Sequence, residues 1–160
     1  LPIDFYSKYL PILNEENIQI RMIGEREGLP KATLNSFDRA AAETANNTGM
    51  ILNFAMYYGG RRDLLFAIQE IVKSGKDLTE ITEEEFSAHL QTAILPEDLR
   101  DPDLIVRTSG ELRLSNFLPW QAAYSELYFT DVAWPDFDEA ALDAAILEFQ
   151  KRDRRYGGVK

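Results

Sequence analysis

The 160-residue sequence contains no cysteine, and this absence excludes disulfide bonds and catalysis by a thiol. A reducing cytoplasm is compatible with such a composition. Histidine is represented by His89 alone, and no second histidine or cysteine lies near it in the sequence to share a metal ion. No apolar run approaches the roughly 20 residues that a membrane-spanning helix requires.

Positive charge is also scarce. Lys and Arg number 17 against 27 Asp and Glu, which gives a formal net charge of -10. Because an acidic surface repels a phosphate backbone, we expect no nucleic-acid partner. A small anionic ligand remains compatible, since its pocket needs only a few well-placed cations. The chain begins at Leu1 with neither methionine nor a signal-like segment, so we expect that its start is missing or processed.

The spacing of apolar residues predicts five helices and four strands. Helical spacing is found at 4–14, 30–45, 61–75, 83–91 and 135–152, and strand patterns at 17–24, 50–56, 104–106 and 125–129. Alternating helices and short strands predict an α/β fold, with a mostly parallel central sheet flanked by helices in a single domain. Inward-facing residues are expected at Leu34, Phe37, Ala41 and Ala45, at Leu64, Leu65, Ile68, Ile71 and Val72, and at Leu142, Ala145, Ile146 and Phe149. Trp120 and Trp134 are expected in the core.

Two loops follow predicted strands, at the strand ends where open α/β sheets bind ligands: YYGGR (57–61) and RTSGELRLSN (107–116). The second loop carries two arginines, whose planar guanidinium groups match phosphate oxygens and stay charged. Arg107, Arg113 and the hydroxyl of Ser115 could therefore hold a diphosphate. The alternative is that the arginines pair with Glu111 or with the acidic surface.

Glu126 opens the aromatic strand segment at 125–129. Magnesium is commonly held by only one or two carboxylates together with substrate phosphates. One carboxylate near two arginines therefore suits a metal–diphosphate site better than a catalytic pair of carboxylates. The alternative is a solvated or salt-bridged glutamate.

Two long segments carry a resemblance to a known family. DLIVRTSGELRLSNFLPWQAAYSELYFTDVAWPDF (103–137) and LNFAMYYGGRRDL (52–64) closely resemble signatures from the C-terminal half of cis-prenyltransferases, specifically the bacterial undecaprenyl diphosphate synthases. NIQIRMIG, NNTG and RDRRYGG occur in the expected order, so the resemblance covers essentially the whole chain. Residues 1–160 are thereby identified as the C-terminal part of a single domain of the cis-prenyltransferase type.

The resemblance also implies roles for individual residues. In that family the arginines and serine of the signature bind the diphosphate of isopentenyl diphosphate, and the matching positions are Arg107, Arg113 and Ser115. Leu114 contributes backbone between them, and Glu126 matches a glutamate that helps to bind Mg²⁺. Catalytic residues are expected in an N-terminal part with no counterpart here, because nothing similar to that part's DGNGRW motif, which grips the allylic diphosphate, occurs in these 160 residues. Tyr57 also departs from the family, which usually has asparagine before YGGR.

The implied activity is condensation of isopentenyl diphosphate onto an allylic diphosphate such as farnesyl diphosphate. The product would be a long cis-polyprenyl diphosphate, undecaprenyl diphosphate, used in cell wall biogenesis. The resemblance further implies a Mg²⁺ cofactor, a homodimer, and a cytoplasmic location at the inner face of the membrane, with peripheral contact through the polyprenyl product. We expect these 160 residues alone to be inactive. The alternatives are a non-catalytic binding or partner subunit of the same fold and a generic phosphate-binding α/β domain.

Overall fold

The structure is a computed structural model that describes residues 3–152. Most of the RDRRYGG segment and the start at Leu1 therefore lie outside the described residues. The helices are α1 (Ile3–Glu15), α2 (Lys31–Glu43), α3 (Gly60–Ser74), α4 (Glu83–Ser87) and α5 (Glu139–Gln150), and the strands are β1 (Gln19–Gly24), β2 (Ile51–Met56), β3 (Leu104–Arg107) and β4 (Glu126–Phe129).

Each predicted helix and strand has a counterpart, and the differences lie at element boundaries. The acidic helix ends at Ser87, short of the predicted residue 91. The last helix begins later than predicted, because Asp138 caps it by accepting the backbone N–H of Ala141 at 3.0 Å. The WPD segment before it forms a separate 3-10 turn.

The strands pair in parallel, which confirms the predicted α/β class. β1 pairs with β2 from Gln19 opposite Ile51 onward, and β3 pairs with β4 from Leu104 opposite Glu126 to Arg107 opposite Phe129. The strands of the described chain form two two-stranded sheets, where we expected one central sheet. Local sequence patterns reveal that a strand exists, but the choice of its partner depends on long-range packing, which they do not record.

The chain divides into two compact units, the first ending at Gly59 and the second beginning at Gly60. The first unit packs α1 and α2 on the β1–β2 pair around a buried cluster of Leu10, Leu13, Ile20, Phe37 and Ala40. The buried stripe of α2 continues to Thr44, whose hydroxyl accepts the backbone N–H of Ile20 at 2.9 Å. Ala41, which was predicted to face inward, is half-buried, and Ala45 is exposed. The stripe that contains Phe37, Ala40 and Thr44 is buried in their place.

The second unit contains α3, α4, α5 and the β3–β4 pair. Helix α3 buries Gly60, Asp63, Ala67 and Ile71 and exposes the predicted core residues Leu65, Ile68 and Val72. Helix α5 buries Ala145 and leaves Leu142 and Ile146 44% and 38% exposed. A helix buries only the stripe that faces its neighbours, and α5 lies against β4. Among the described residues, no helix has the length and apolar character needed to span a membrane.

Candidate functional site

The loop that carries Arg107 and Arg113, residues 107–119 and here called the arginine loop, begins where β3 ends. Arg107 is the last residue of β3 and lies opposite Phe129, at the carboxyl end of the parallel pair. Backbone hydrogen bonds extend the pairing beyond the strands: Thr130 donates to Arg107, Ser109 to Val132 and Gly110 to Thr130, with N···O distances of 3.0, 2.9 and 2.9 Å. The start of the loop is therefore held rigidly at the strand end, where such folds bind ligands.

Arg107 lines a cavity of about 280 Å³ in the second unit. The other lining residues are Val106, Thr108, Ser109, Trp134 and Phe137. The rings of Trp134 and Phe137 stack with their centroids 6.2 Å apart and an interplanar angle of 9°. Trp134 is 73% exposed, so the expectation that it belongs to the core is wrong. A half-buried guanidinium beside an aromatic wall suits a ligand with an anionic head and an apolar tail.

Arg113 and Ser115 lie on the exposed part of the loop, and Leu114 between them is half-buried. Arg113 forms an ion pair with Glu111, with side chains 63% and 38% exposed. The carbonyl oxygen of Leu114 accepts the backbone N–H of Phe117 at 3.0 Å. The pairing of Arg113 with Glu111 is the alternative that the sequence left open, and such exposed pairs contribute only about 0–1 kcal/mol.

Glu126 lies at the other end of the strand pair. It is the first residue of β4 and is level with Leu104, three residues before Arg107. At about 3.3 Å per residue this is roughly 10 Å along the sheet, so the backbone does not bring Glu126 level with the loop arginines. Arg152 donates to its Oε2 at 2.8 Å and to the carbonyl of Leu127 at 3.1 Å. The salt-bridged alternative is thus observed for Glu126 as well.

A magnesium ion would find a limited set of protein ligands here. No group of three or more His, Cys, Asp or Glu side chains suited to a metal occurs within 3–152. Glu126 can contribute one carboxylate, whose Oε2 is bonded to Arg152. A single carboxylate fits Mg²⁺ that takes its remaining ligands from phosphate oxygens and water.

A larger groove of about 620 Å³ is unsuited to a diphosphate. Its lining includes the carboxylates of Glu83, Glu84, Asp101 and Asp103 beside Trp120 and Tyr124. Burial raises the pKa of Asp101, and the nearby Arg100 opposes that shift. Because this groove carries several negative charges, the arginine loop suits an anionic ligand better than the groove does.

The loop is fastened to the start of α3 by Asn116, a residue to which the sequence assigned no role in the site. The backbone N–H groups of Gly60 and Arg61 donate to the carbonyl and to Oδ1 of Asn116, each at 2.8 Å. Asn116 has φ 64°, a left-handed conformation that asparagine adopts more readily than most residues. An asparagine at the end of a polar loop is the signal that could have found it.

Tyr57 illustrates the same backbone preference. It follows β2 with φ 52° and is 69% exposed. A left-handed φ is less favourable for tyrosine than for the asparagine that the resemblance leads us to expect before YGGR. The departure at Tyr57 therefore adds local strain.

Comparison with known proteins gives the same family for both units. Residues 3–157 match the family described as "Putative undecaprenyl diphosphate synthase". The isoprenyl transferase of Lactococcus lactis is 76% identical over 160 residues, covering 100% of this chain and 66% of the relative. That of Streptococcus pneumoniae strain R6 is 56% identical over 163 residues, covering 99% and 65%. The chain thus spans slightly less than two thirds of the length of these curated relatives.

Two solved structures share the fold. Lavandulyl diphosphate synthase from Lavandula x intermedia, in complex with dimethylallyl diphosphate, superposes with a TM-score of 0.88 at 34% identity, covering 98% of this chain and 70% of that one. A "probable undecaprenyl diphosphate synthase" from Campylobacter jejuni gives a TM-score of 0.80 at 26% identity, with 97% and 70% coverage. Because the family match covers nearly the whole chain and high identity accompanies it, this chain belongs to the undecaprenyl diphosphate synthase family of prenyltransferases.

Proposed function

We propose that this chain is the C-terminal part of a cis-prenyltransferase that condenses isopentenyl diphosphate onto an allylic diphosphate such as farnesyl diphosphate. The product would be a long cis-polyprenyl diphosphate, with undecaprenyl diphosphate as the specific candidate. The observation that carries this proposal is the arginine loop that begins at the carboxyl end of β3, in a family member whose net charge is -10. The relative solved with dimethylallyl diphosphate adds support for a diphosphate ligand.

The loop side chains would bind the diphosphate of isopentenyl diphosphate. Arg107 and Arg113 would donate charge-assisted hydrogen bonds to its oxygens, and Ser115 and the backbone around Leu114 would add weaker ones. The aromatic wall of Trp134 and Phe137 would contact the isopentenyl group beside Arg107. Held in this way, the isopentenyl double bond can attack the allylic carbon while that carbon loses its own diphosphate, and a proton then leaves the new chain.

Magnesium belongs to the proposal as a cofactor with Glu126 as one ligand. When bound, it would neutralise negative charge that develops on a departing diphosphate. Before the metal binds, Arg152 would hold the Glu126 side chain in a fixed orientation, through its contacts to Oε2 and to the carbonyl of Leu127.

Assembly and location follow the same family expectation. We propose a homodimer, for which the exposed apolar side chains of Leu142, Ile146 and Leu147 on α5 offer a surface. The polyprenyl product would bring the enzyme into peripheral contact with the inner face of the membrane. Cell wall biogenesis is the process that such a product serves.

The second candidate is a non-catalytic partner subunit of the same fold. The ion pairs of Arg113 with Glu111 and of Glu126 with Arg152 favour it, because they occupy these side chains within the protein itself. Retention of Arg107, Arg113, Ser115 and Glu126 favours the enzyme instead, because a subunit without substrate has no need of diphosphate-binding groups.

The test compares this 160-residue chain with the intact protein. We expect the chain to bind isopentenyl diphosphate weakly by calorimetry and to form no product from farnesyl diphosphate, radiolabelled isopentenyl diphosphate and Mg²⁺. The reason is that its described residues contain one candidate diphosphate site where the reaction needs two, and positioning accounts for roughly 7–11 kcal/mol of a barrier.

The intact protein should form labelled long-chain product under the same conditions. Product from the chain alone would mean that a second diphosphate site lies within it. An intact protein that neither binds nor turns over isopentenyl diphosphate would favour the partner subunit.

A further inference from the structure

The contact between the arginine loop and helix α3 is unusually close. An added Cβ at Gly60 would lie 2.0 Å from Cδ and 2.5 Å from Cγ of Pro119, and 3.1 Å from the carbonyl oxygen of Asn116. Carbon atoms cannot approach to the two shorter of these distances, so a residue with a side chain at position 60 would push the loop away. The glycine at the start of α3 is therefore needed for loop and helix to touch.

Asn116 forms the polar half of this contact. Its carbonyl and its Oδ1 together accept the N–H groups of Gly60 and Arg61, which would otherwise be unsatisfied at the helix start. These two N–H groups are consequently occupied by the protein itself. The start of α3 holds the loop in place and does not offer these donors to an anionic ligand.

The backbone of the loop needs such a restraint. Ser109, Ser115, Asn116 and Leu118 all have positive φ, at 66°, 50°, 64° and 48°. Non-glycine residues keep this conformation only when surrounding contacts impose it. Ser115 and Asn116 are adjacent left-handed residues, so the bonds made by Asn116 also fix the direction in which Ser115 and the preceding Arg113 leave the backbone.

We propose that Asn116 is a positioning residue, which fixes the diphosphate-binding side chains by fastening their loop to the first turn of α3. This inference rests on the proposed function, because Arg113 and Ser115 must bind a diphosphate for their position to matter. Asn116 acts through the loop and needs no contact with the substrate.

The main variant is Asn116→Gly in the intact protein. Glycine adopts a positive φ freely, so the variant removes the Oδ1 contact without adding backbone strain. We expect the affinity for isopentenyl diphosphate, measured by calorimetry, to fall about 10- to 100-fold, because a displacement near 1 Å can have effects of that size. In turnover assays the KM for isopentenyl diphosphate should rise while the KM for farnesyl diphosphate stays unchanged.

The matched control is Asp138→Ala, which removes the N-cap of α5 and its bond to the Ala141 N–H. Both variants lose one helix-start hydrogen bond, so both should unfold at a lower temperature. Only Asn116→Gly should lose affinity. If Asn116→Gly binds isopentenyl diphosphate as tightly as the parent, the inference is overturned while the proposed function stands. If the parent itself does not bind, the proposed function fails and this inference fails with it.

A second pair of variants makes the test independent of Asn116. Gly60→Ala places a methyl group against Pro119 and should weaken isopentenyl diphosphate binding to a similar extent. Adding Pro119→Ala removes the two closest atoms, so the double variant should recover much of the affinity. This pair carries the same test if Asn116→Gly fails to fold, and full affinity in Gly60→Ala would contradict the inference.

Discussion

The ion pair between Arg113 and Glu111 should lower the affinity for isopentenyl diphosphate. Glu111 occupies part of the guanidinium group that is proposed to bind the diphosphate, so substrate must displace it. Replacing Glu111 with Gln removes the charge while keeping the size of the side chain. We therefore expect Glu111→Gln to bind isopentenyl diphosphate more tightly than the parent, and Arg113→Ala to bind it more weakly.

The magnitudes follow from exposure. Because both side chains are more than a third exposed, releasing the pair costs about 0.2–1 kcal/mol. A hydrogen bond to a charged group contributes about 1.5–3 kcal/mol. The difference predicts a loss of roughly 0.5–2.8 kcal/mol for Arg113→Ala, which is about 2- to 100-fold in Kd. Glu111→Gln should tighten binding by about 1.4- to 5-fold, which is the cost of releasing the pair.

The assay is a double-mutant cycle by calorimetry at one ionic strength. In the Arg113→Ala background, Glu111→Gln should lose most of its effect, because no guanidinium remains there for the carboxylate to occupy. Equal effects of Glu111→Gln in both backgrounds would show that it acts by general repulsion of the diphosphate. Unchanged affinity in Arg113→Ala would refute the assignment of Arg113. Arg107→Lys provides a comparison in the same assay and should also weaken binding, since lysine lacks the planar guanidinium.

Two further predictions concern the metal and the assembly. Glu126→Gln should raise the magnesium concentration needed for turnover in the intact protein. Arg152→Gln should lower that concentration, because Arg152 holds one oxygen of the Glu126 carboxylate. An unaltered magnesium titration in Glu126→Gln would make Glu126 purely structural. Leu142→Glu should convert a dimer of the intact protein to a monomer, as measured by light scattering. Leu78→Glu, at another exposed site, should leave the dimer intact. A monomeric parent at micromolar concentration would contradict the proposed homodimer.

The sequence predicted the elements well and their buried faces less well. Helix α3 shows why: its apolar residues predicted a wide inward face, yet Leu65 and Val72 are exposed while Asp63 is only 1% exposed. Asp63 accepts the backbone N–H of Gln91 at 3.0 Å, a partner 28 residues away. Periodicity records which residues are apolar, but it does not record how much of a helix its neighbours cover.

The candidate site was likewise predictable from the sequence only in part. Residue chemistry and the strand end located the loop at Arg107, because charge and the direction of parallel strands are local properties. Asn116 was missed because its role depends on Gly60, which is 56 positions earlier in the chain and reaches the loop only through the fold. The separation of Glu126 from Arg107 was missed for the same reason, since only the strand register shows that they lie at opposite ends.

The ion pairs at Arg113 and Glu126 fit both the structural and the functional interpretation of these residues. Each side chain is paired with a residue that has the same charge as its proposed ligand: Glu111 for a diphosphate and Arg152 for a magnesium ion. Both pairs are at least 30% exposed, so each can open at low cost. A diphosphate and a divalent ion carry more charge than the single side chain that each would replace, so electrostatic attraction would favour the proposed exchange. Until a ligand binds, these partners neutralise the charges of Arg113 and Glu126, and each exposed pair stabilises the fold by about 0–1 kcal/mol.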